Sequence, residues 1–122
     1  MNTPENVRPW GRYDILDCGD GYQVKRITVN PGGRLSYQRH EMREEYWVIL
    51  SGRVQFTLDD VETEHGPGAV LIIPIRSKHR LACISDTPAV FIEVQRGDYL
   101  GEDDIERFSD DYGREGTTSP HG

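Results

Sequence analysis

Helical periodicity is almost absent from this chain, and short β-rich runs recur roughly every ten residues between turn-forming clusters. Candidate strands cover residues 12–17, 22–29, 34–40, 45–51, 53–58, 69–73, 79–84 and 89–96. The segments between them (18–21, 30–33, 51–52, 59–60, 65–68 and 85–88) are built on the Gly, Pro, Asn, Asp and Ser residues that turn a chain. This rhythm predicts an all-β sandwich or barrel. Alternation then assigns faces. Lys25, Ile27 and Val29 share one side of their strand, and Val24, Arg26 and Thr28 the other. The first set is the more apolar, so Lys25 is expected to point inward near a barrel mouth. Residues 101–108 read as the only helix, with acidic residues in a first turn that suits the helix dipole. A single domain over 1–114 is expected, with a disordered Gly/Ser/Thr/Pro-rich tail at 115–122 in which His121 is incidental.

The bulk properties narrow the function classes. A chain of 122 residues suits one domain with a modest core. With 35% hydrophobic and 29% charged residues, it reads as a globular protein and not a membrane one. No apolar run reaches the roughly 18 residues of a membrane-spanning helix. The first residues lack the apolar stretch of a secretory signal, so a cytoplasmic location is expected. The net charge of −7, without any block of Lys or Arg, argues against nucleic acid as a partner. A few local cations can still bind a small phosphate. Cys18 and Cys83 show no metal spacing and are expected to be reduced thiols.

Two spacings carry the chemistry. In the first, Gly32 is followed by Gln38, His40, Glu45 and Gly52; in the second, Gly68 is followed by Pro74 and His79. Ligands at i and i+2 of a strand project to one face. A turn brings the next strand alongside, so Glu45 can reach the same point, and His79 closes the site from a strand far along the chain. Such a mixed N and O set suits zinc best among divalent ions, with manganese, cobalt, nickel and iron as alternatives. Taken singly, His40 and His79 would be ordinary polar residues of a β-protein; taken together, with their Gly and Pro punctuation, they read as one site. His65, beside Gly66, has no such partner. The two spacings resemble the two motifs of the cupin superfamily, which implies a double-stranded β-helix, or jelly-roll barrel. Gln38 stands where most cupins carry His, Arg76 where the second motif has Gly, and Cys83 where it has Asn.

A sharper resemblance spans residues 8–114. It rests on RPWGRYDIL at 8–16, VKRITVNPG at 24–32, LSYQRHEMREEYWVILSG at 35–52, KHRL at 78–81 and IEVQRGDYLGEDDIERFSDDYGR at 92–114. These strings are similar to the C-terminal isomerase domain of type II phosphomannose isomerases, which in that family follows a mannose-1-phosphate guanylyltransferase domain. Gln38 in place of His matches this family, and Gln38, His40, Glu45 and His79 fall on its metal positions. Where the family usually carries further histidines, this chain has Glu41, Met42 and Tyr46. These residues contain no Gly-rich phosphate loop, so GTP binding is not expected of them.

The resemblance implies a metal-dependent isomerase that interconverts mannose 6-phosphate and fructose 6-phosphate. A base must move a proton between C2 and C1. Glu93, which shares a strand face with Phe91 and Gln95, is the candidate. Lys25 is the first candidate for the phosphate and a second catalytic residue, and Arg43, between the ligands His40 and Glu45, is the other phosphate cation. Trp47 and Tyr37 are either core or walls of a sugar pocket, and Trp10 and Tyr13 anchor the N-terminal strand. Two other readings stay open: a non-catalytic sugar-phosphate or sugar-nucleotide binding cupin, favoured by the changes at Glu41, Met42 and Tyr46, and a different metal-dependent cupin enzyme such as an oxygenase. A homodimer is expected, and a separate guanylyltransferase is a candidate partner.

Overall fold

In a computed structural model, which describes residues 6–111, the long strands change character along their length. Every second side chain of β5 (Arg43–Ser51) is buried from Arg43 to Ile49. The inward series begins with Arg43 and Glu45 and ends with Trp47 and Ile49. β10 (Ala89–Gly97) buries Ala89 and Phe91 at one end and Glu93 and Gln95 at the other. β3 (Tyr22–Val29) buries Val29 and Ile27, and then Lys25. Antiparallel register aligns these transitions: Glu93 lies opposite Lys25 on one side and Trp47 on the other, and Gln95 lies opposite Glu45. One end of the barrel interior is therefore apolar and the other is polar and ionisable.

The remaining strands are β1 (Val7–Arg8), β2 (Gly11–Gly19), β4 (Tyr37–Arg39), β6 (Val54–Leu58), β7 (Val61–His65), β8 (Val70–Ile73), β9 (His79–Cys83) and β11 (Glu106–Ser109). They form two antiparallel sheets, ordered β1-β2-β3-β10-β5-β8 and β11-β4-β9-β6-β7. Together they make an all-β jelly roll, which lies within the sandwich-or-barrel class that the turn rhythm predicts and is the form that the cupin resemblance implies. Trp47 joins the layers: its ring lies 4.7 Å from Phe91 in its own sheet and meets Phe56 of the facing sheet edge-on at 5.6 Å. Val54, Leu81, Ile49, Ile73 and Val29 complete the dry end. At the polar end Gly97 lets β10 close on β5, since a Cβ there would sit 2.1 Å from the Met42 carbonyl oxygen.

Some expectations need correction. Residues 101–108 are not a helix, and the described residues contain no α-helix. The segment turns at 102–103 and then pairs as β11 with β4. Its acidic side chains are engaged one by one: Glu102 with Lys25, Asp103 with the Tyr99 hydroxyl, and Asp104 with the backbone N–H groups of Glu41 and Met42. Ile105 and Arg107 are buried two residues apart, which is strand periodicity. β7 was not foreseen because four of its five residues are exposed and three of those four are polar, leaving no alternation to read. His65 accordingly ends a strand, beside the Thr63 hydroxyl at 2.7 Å, and does not sit in a turn. The strand expected over 34–40 narrows to Tyr37–Arg39, with one isolated bridge at Arg34. The tail expected at 115–122 lies outside the described residues. Cys18 is exposed, Cys83 buried, and both are free thiols. No helix among the described residues is long and apolar enough to cross a membrane.

Phe91 should carry an outsized share of stability, because it is fully buried against Trp47. Phe91→Ala is expected to lower unfolding free energy by about 3–5 kcal/mol. Leu50→Ala, at a half-exposed position, should cost about 0.5 kcal/mol or less. Denaturant melts of the two variants check the difference.

Candidate metal centre

The polar end of the barrel is assembled from three places in the chain. Gln38 lies on β4 directly opposite His79 on β9, His40 follows β4, and Glu45 points inward from β5. His40, Glu45 and His79 place one ligand atom each within 4.8 Å of one another. His40 Nε2 is 3.3 Å from Glu45 Oε2, and His79 Nε2 is 3.9 Å from Glu45 Oε1. All three side chains, and Gln38, are buried.

The backbone sets the orientation of both imidazoles. His40 Nδ1 lies 2.6 Å from the Asp104 carbonyl oxygen, and His79 Nδ1 lies 3.0 Å from that of Ser77. A carbonyl oxygen only accepts, so Nδ1 carries the proton in each ring and the Nε2 lone pair faces Glu45. Burial keeps both rings neutral. It is the largest influence on His40, lowering its pKa from 6.5 to about 4 even though Glu45 pulls the other way. His79 is shifted down for the same reason, with Glu45 again opposing. Burial works to raise the Glu45 carboxyl, but the Arg43 charge is the strongest influence against it, and the group is held well below 4.5. Arg43 Nε donates to Glu45 Oε2 at 2.8 Å, and Nη2 donates to His40 Nε2 at 3.2 Å. A cationic group thus already sits on these lone pairs.

Beside this set lies a second carboxylate in the opposite state. Burial, and then the Glu45 charge, push the Glu93 carboxyl well above 4.5. Trp47 Nε1 donates to both, at 3.0 Å to Glu45 Oε1 and 3.2 Å to Glu93 Oε1. Gln95 Nε2 donates to Glu93 Oε2 at 3.2 Å. Two adjacent carboxyl groups are therefore driven apart in proton affinity, the pattern of acid–base machinery.

The residues that the sequence offers as metal ligands, base and phosphate cations meet here. Gln38, His40, Glu45, His79, Lys25, Arg43 and Glu93 line one cavity of about 40 Å³, with Trp47, Trp10 and Tyr13 in its wall. Tyr37 does not; its hydroxyl bonds Asp60 on the outside. Three residues were missed: Gln95, Glu102 and Asp104. Gln95 was legible from its alternation with Glu93. Glu102 and Asp104 were hidden by the helix reading of their segment. Glu41, Met42 and Tyr46 do not line the cavity. Glu41 pairs with Arg76 and Arg39, Met42 is half-exposed, and Tyr46 contacts Arg96 on the outer face of β5.

The donor set fits a divalent ion. It offers two neutral imidazoles with inward Nε2 lone pairs, an ionised carboxylate and a neutral amide, all removed from water. Each imidazole is fixed through its other nitrogen, the support that metal-binding histidines use.

Comparison with known proteins agrees with this architecture. The family model for the mannose-6-phosphate isomerase C-terminal domain matches residues 2–110. The alginate biosynthesis protein AlgA of Pseudomonas aeruginosa is 52% identical over 114 residues, covering 93% of this chain and 24% of that protein. The mannose-1-phosphate guanylyltransferase of Escherichia coli is 47% identical over 110 residues, covering 90% and 23%. The chain thus spans about a quarter of the length of these relatives. Among solved structures, a sugar phosphate isomerase of the cupin superfamily from Silicibacter pomeroyi matches with a TM-score of 0.60 at 22% identity, over 69% of this chain and 59% of that one. The Schizosaccharomyces pombe Cnp3 cupin domain matches with a TM-score of 0.67 at 12% identity, over 71% and 64%. At these identities the structural matches speak for the fold, and the family match speaks for descent. The chain belongs to the mannose-6-phosphate isomerase C-terminal family and is built as a cupin barrel.

Proposed function

We propose that this chain is a metal-dependent aldose–ketose isomerase that interconverts mannose 6-phosphate and fructose 6-phosphate. The observation that carries the reading is the convergence, in one buried cavity, of the His40, Glu45 and His79 set with a second carboxyl of opposite proton affinity and two cations. Gln38, His40, Glu45 and His79 would hold the ion, with zinc the first candidate. When bound, it supplies Lewis acidity toward the sugar oxygens. The chain's own residues do the rest. Glu93 takes the proton from C2 and returns it at C1. Burial and Glu45 raise its carboxyl, and Lys25, directly across the ladder, pulls it back toward the ionised form that a base needs. Lys25 and Arg43 bind the phosphate. Arg43 Nη1 is buried with no hydrogen-bond partner among the described residues, which leaves it to donate to a ligand. Gln95 Oε1 is likewise unpartnered and lines the same cavity, a ready acceptor for a sugar hydroxyl. The hydrocarbon wall of Trp47, Trp10 and Tyr13 excludes water from the proton transfer.

The binding-module reading drew its support from Glu41, Met42 and Tyr46. Because these residues stand outside the cavity, their identity leaves the donor set and Glu93 unchanged. A cytoplasmic homodimer is part of the proposal. Its support is the edge strand β8, which leaves Val70 and Ile72 more than half exposed beside an open sheet edge. A guanylyltransferase is the proposed protein partner, on the strength of the relative that bears that name.

Two measurements test the site. Metal-loaded protein given mannose 6-phosphate should form fructose 6-phosphate, and Glu93→Gln should lower kcat by roughly 10²–10⁴-fold. A folded, metal-loaded protein that forms no fructose 6-phosphate would contradict the isomerase reading. Independently, one equivalent of zinc or manganese should raise the melting temperature. At a free ion concentration about 100 times Kd, the gain should be about 2.7 kcal/mol. Chelator should reverse it, and His79→Ala should abolish it.

A further inference from the structure

The cavity and the loop across it pose a steric and electrostatic problem. At about 40 Å³ the cavity has room for a few waters, each of which needs about 10–15 Å³ of such space. Ligand pockets measure about 300–1,000 Å³. Any sugar phosphate must therefore displace part of the wall. Lys25, Glu93 and Gln95 are held in strand ladders on the six-stranded sheet. Glu102 is not: it belongs to the turn between β10 and β11. Its carboxylate Oε1 lies 2.5 Å from Lys25 Nζ, and its side chain is 28% exposed against 6% for Lys25. Glu102 is thus the outer member of the pair and the lining residue freest to leave.

We propose that Glu102 occupies the anion subsite of the free protein, and that the phosphate of an incoming ligand replaces it on Lys25. The inference rests on the reading that this cavity takes a phosphorylated sugar. The exchange conserves charge compensation. A buried ammonium without a counter-ion is strongly destabilising, so in the free protein Lys25 needs Glu102. The Tyr13 ring, 4.7 Å from Lys25 Nζ, covers the ammonium from another side, and Glu102 is the carboxylate it is hydrogen-bonded to. A ligand without an anion would have to leave that ammonium uncompensated on entry. A phosphate restores the pair with a doubly charged acceptor. Burial works to raise the Glu102 carboxyl, and the Lys25 charge more than offsets this, so the group stays ionised as a true competitor. The hinge is limited by Asp104, whose carboxylate holds the N–H groups of Glu41 and Met42 at 2.9 Å each. Movement is therefore confined to the few residues before it.

The test is the affinity for inorganic phosphate, followed by calorimetry at one fixed metal loading. Glu102→Gln removes the competing charge and should tighten phosphate binding by about 10-fold or more, in line with a charge-assisted pair. Adding Lys25→Gln should erase that gain, which separates binding at this ammonium from binding to the ion or elsewhere. Glu102→Ala serves as a second variant, with melting curves confirming that each is folded. Phosphate affinity unchanged or weakened in both folded Glu102 variants would overturn the proposal. So would a gain that persists without Lys25. The readout needs no turnover: a protein that binds phosphate in this pattern but fails to isomerise would refute the isomerase reading and leave the exchange standing.

Discussion

Glu45 is a carboxylate almost wholly removed from water, and the polar end of the barrel is arranged to keep it ionised there. An isolated buried carboxylate would take up a proton. Here Arg43 Nε and Trp47 Nε1 both donate to it. The same charge then acts outward on its neighbours. It opposes the neutralising effect of burial on His40 and His79, and it drives the Glu93 carboxyl upward. One buried charge thus sets the His40, Glu45 and His79 cluster apart from a neighbouring carboxyl of raised proton affinity.

That arrangement is possible because of how the strands are filled. A barrel interior lined entirely by ionisable groups could not supply enough apolar burial to fold. β3, β5 and β10 solve this lengthwise, with Val29, Ile49 and Phe91 toward one end and Lys25, Glu45 and Glu93 toward the other. Trp47 sits at the boundary. Its ring packs on Phe91 and Phe56, while its N–H bonds both carboxylates. Stability and chemistry meet in that one side chain.

Much of this was legible in the sequence because strand periodicity is strict. Lys25 on the face of Ile27 and Val29, Glu93 between Phe91 and Gln95, and Gln38 two residues from His40 all point inward, as a period of two requires. The bounds of β3 match those read from the sequence. What stayed hidden depends on contacts between distant residues. Glu102, Asp103 and Asp104 look like a helix start, but Glu102 is engaged by Lys25 and Asp104 by the N–H groups of Glu41 and Met42, partners 62 to 77 positions away. β7 is an edge strand without a buried face, so no hydrophobic pattern marks it. The roles of Glu41, Met42 and Tyr46 were obscured differently: their types differ from the family's, and only the fold shows that they stand outside the cavity.

The account stands on His40, Glu45 and His79 acting as one ligand set. Anomalous diffraction from crystals of the zinc-loaded protein, recorded at the metal edge, tests this most directly. The expected result is a single strong peak about 2.0–2.2 Å from His40 Nε2, His79 Nε2 and a Glu45 oxygen, with Gln38 beside it. A peak held by other residues, or stoichiometric zinc with no peak in this cavity, would contradict it.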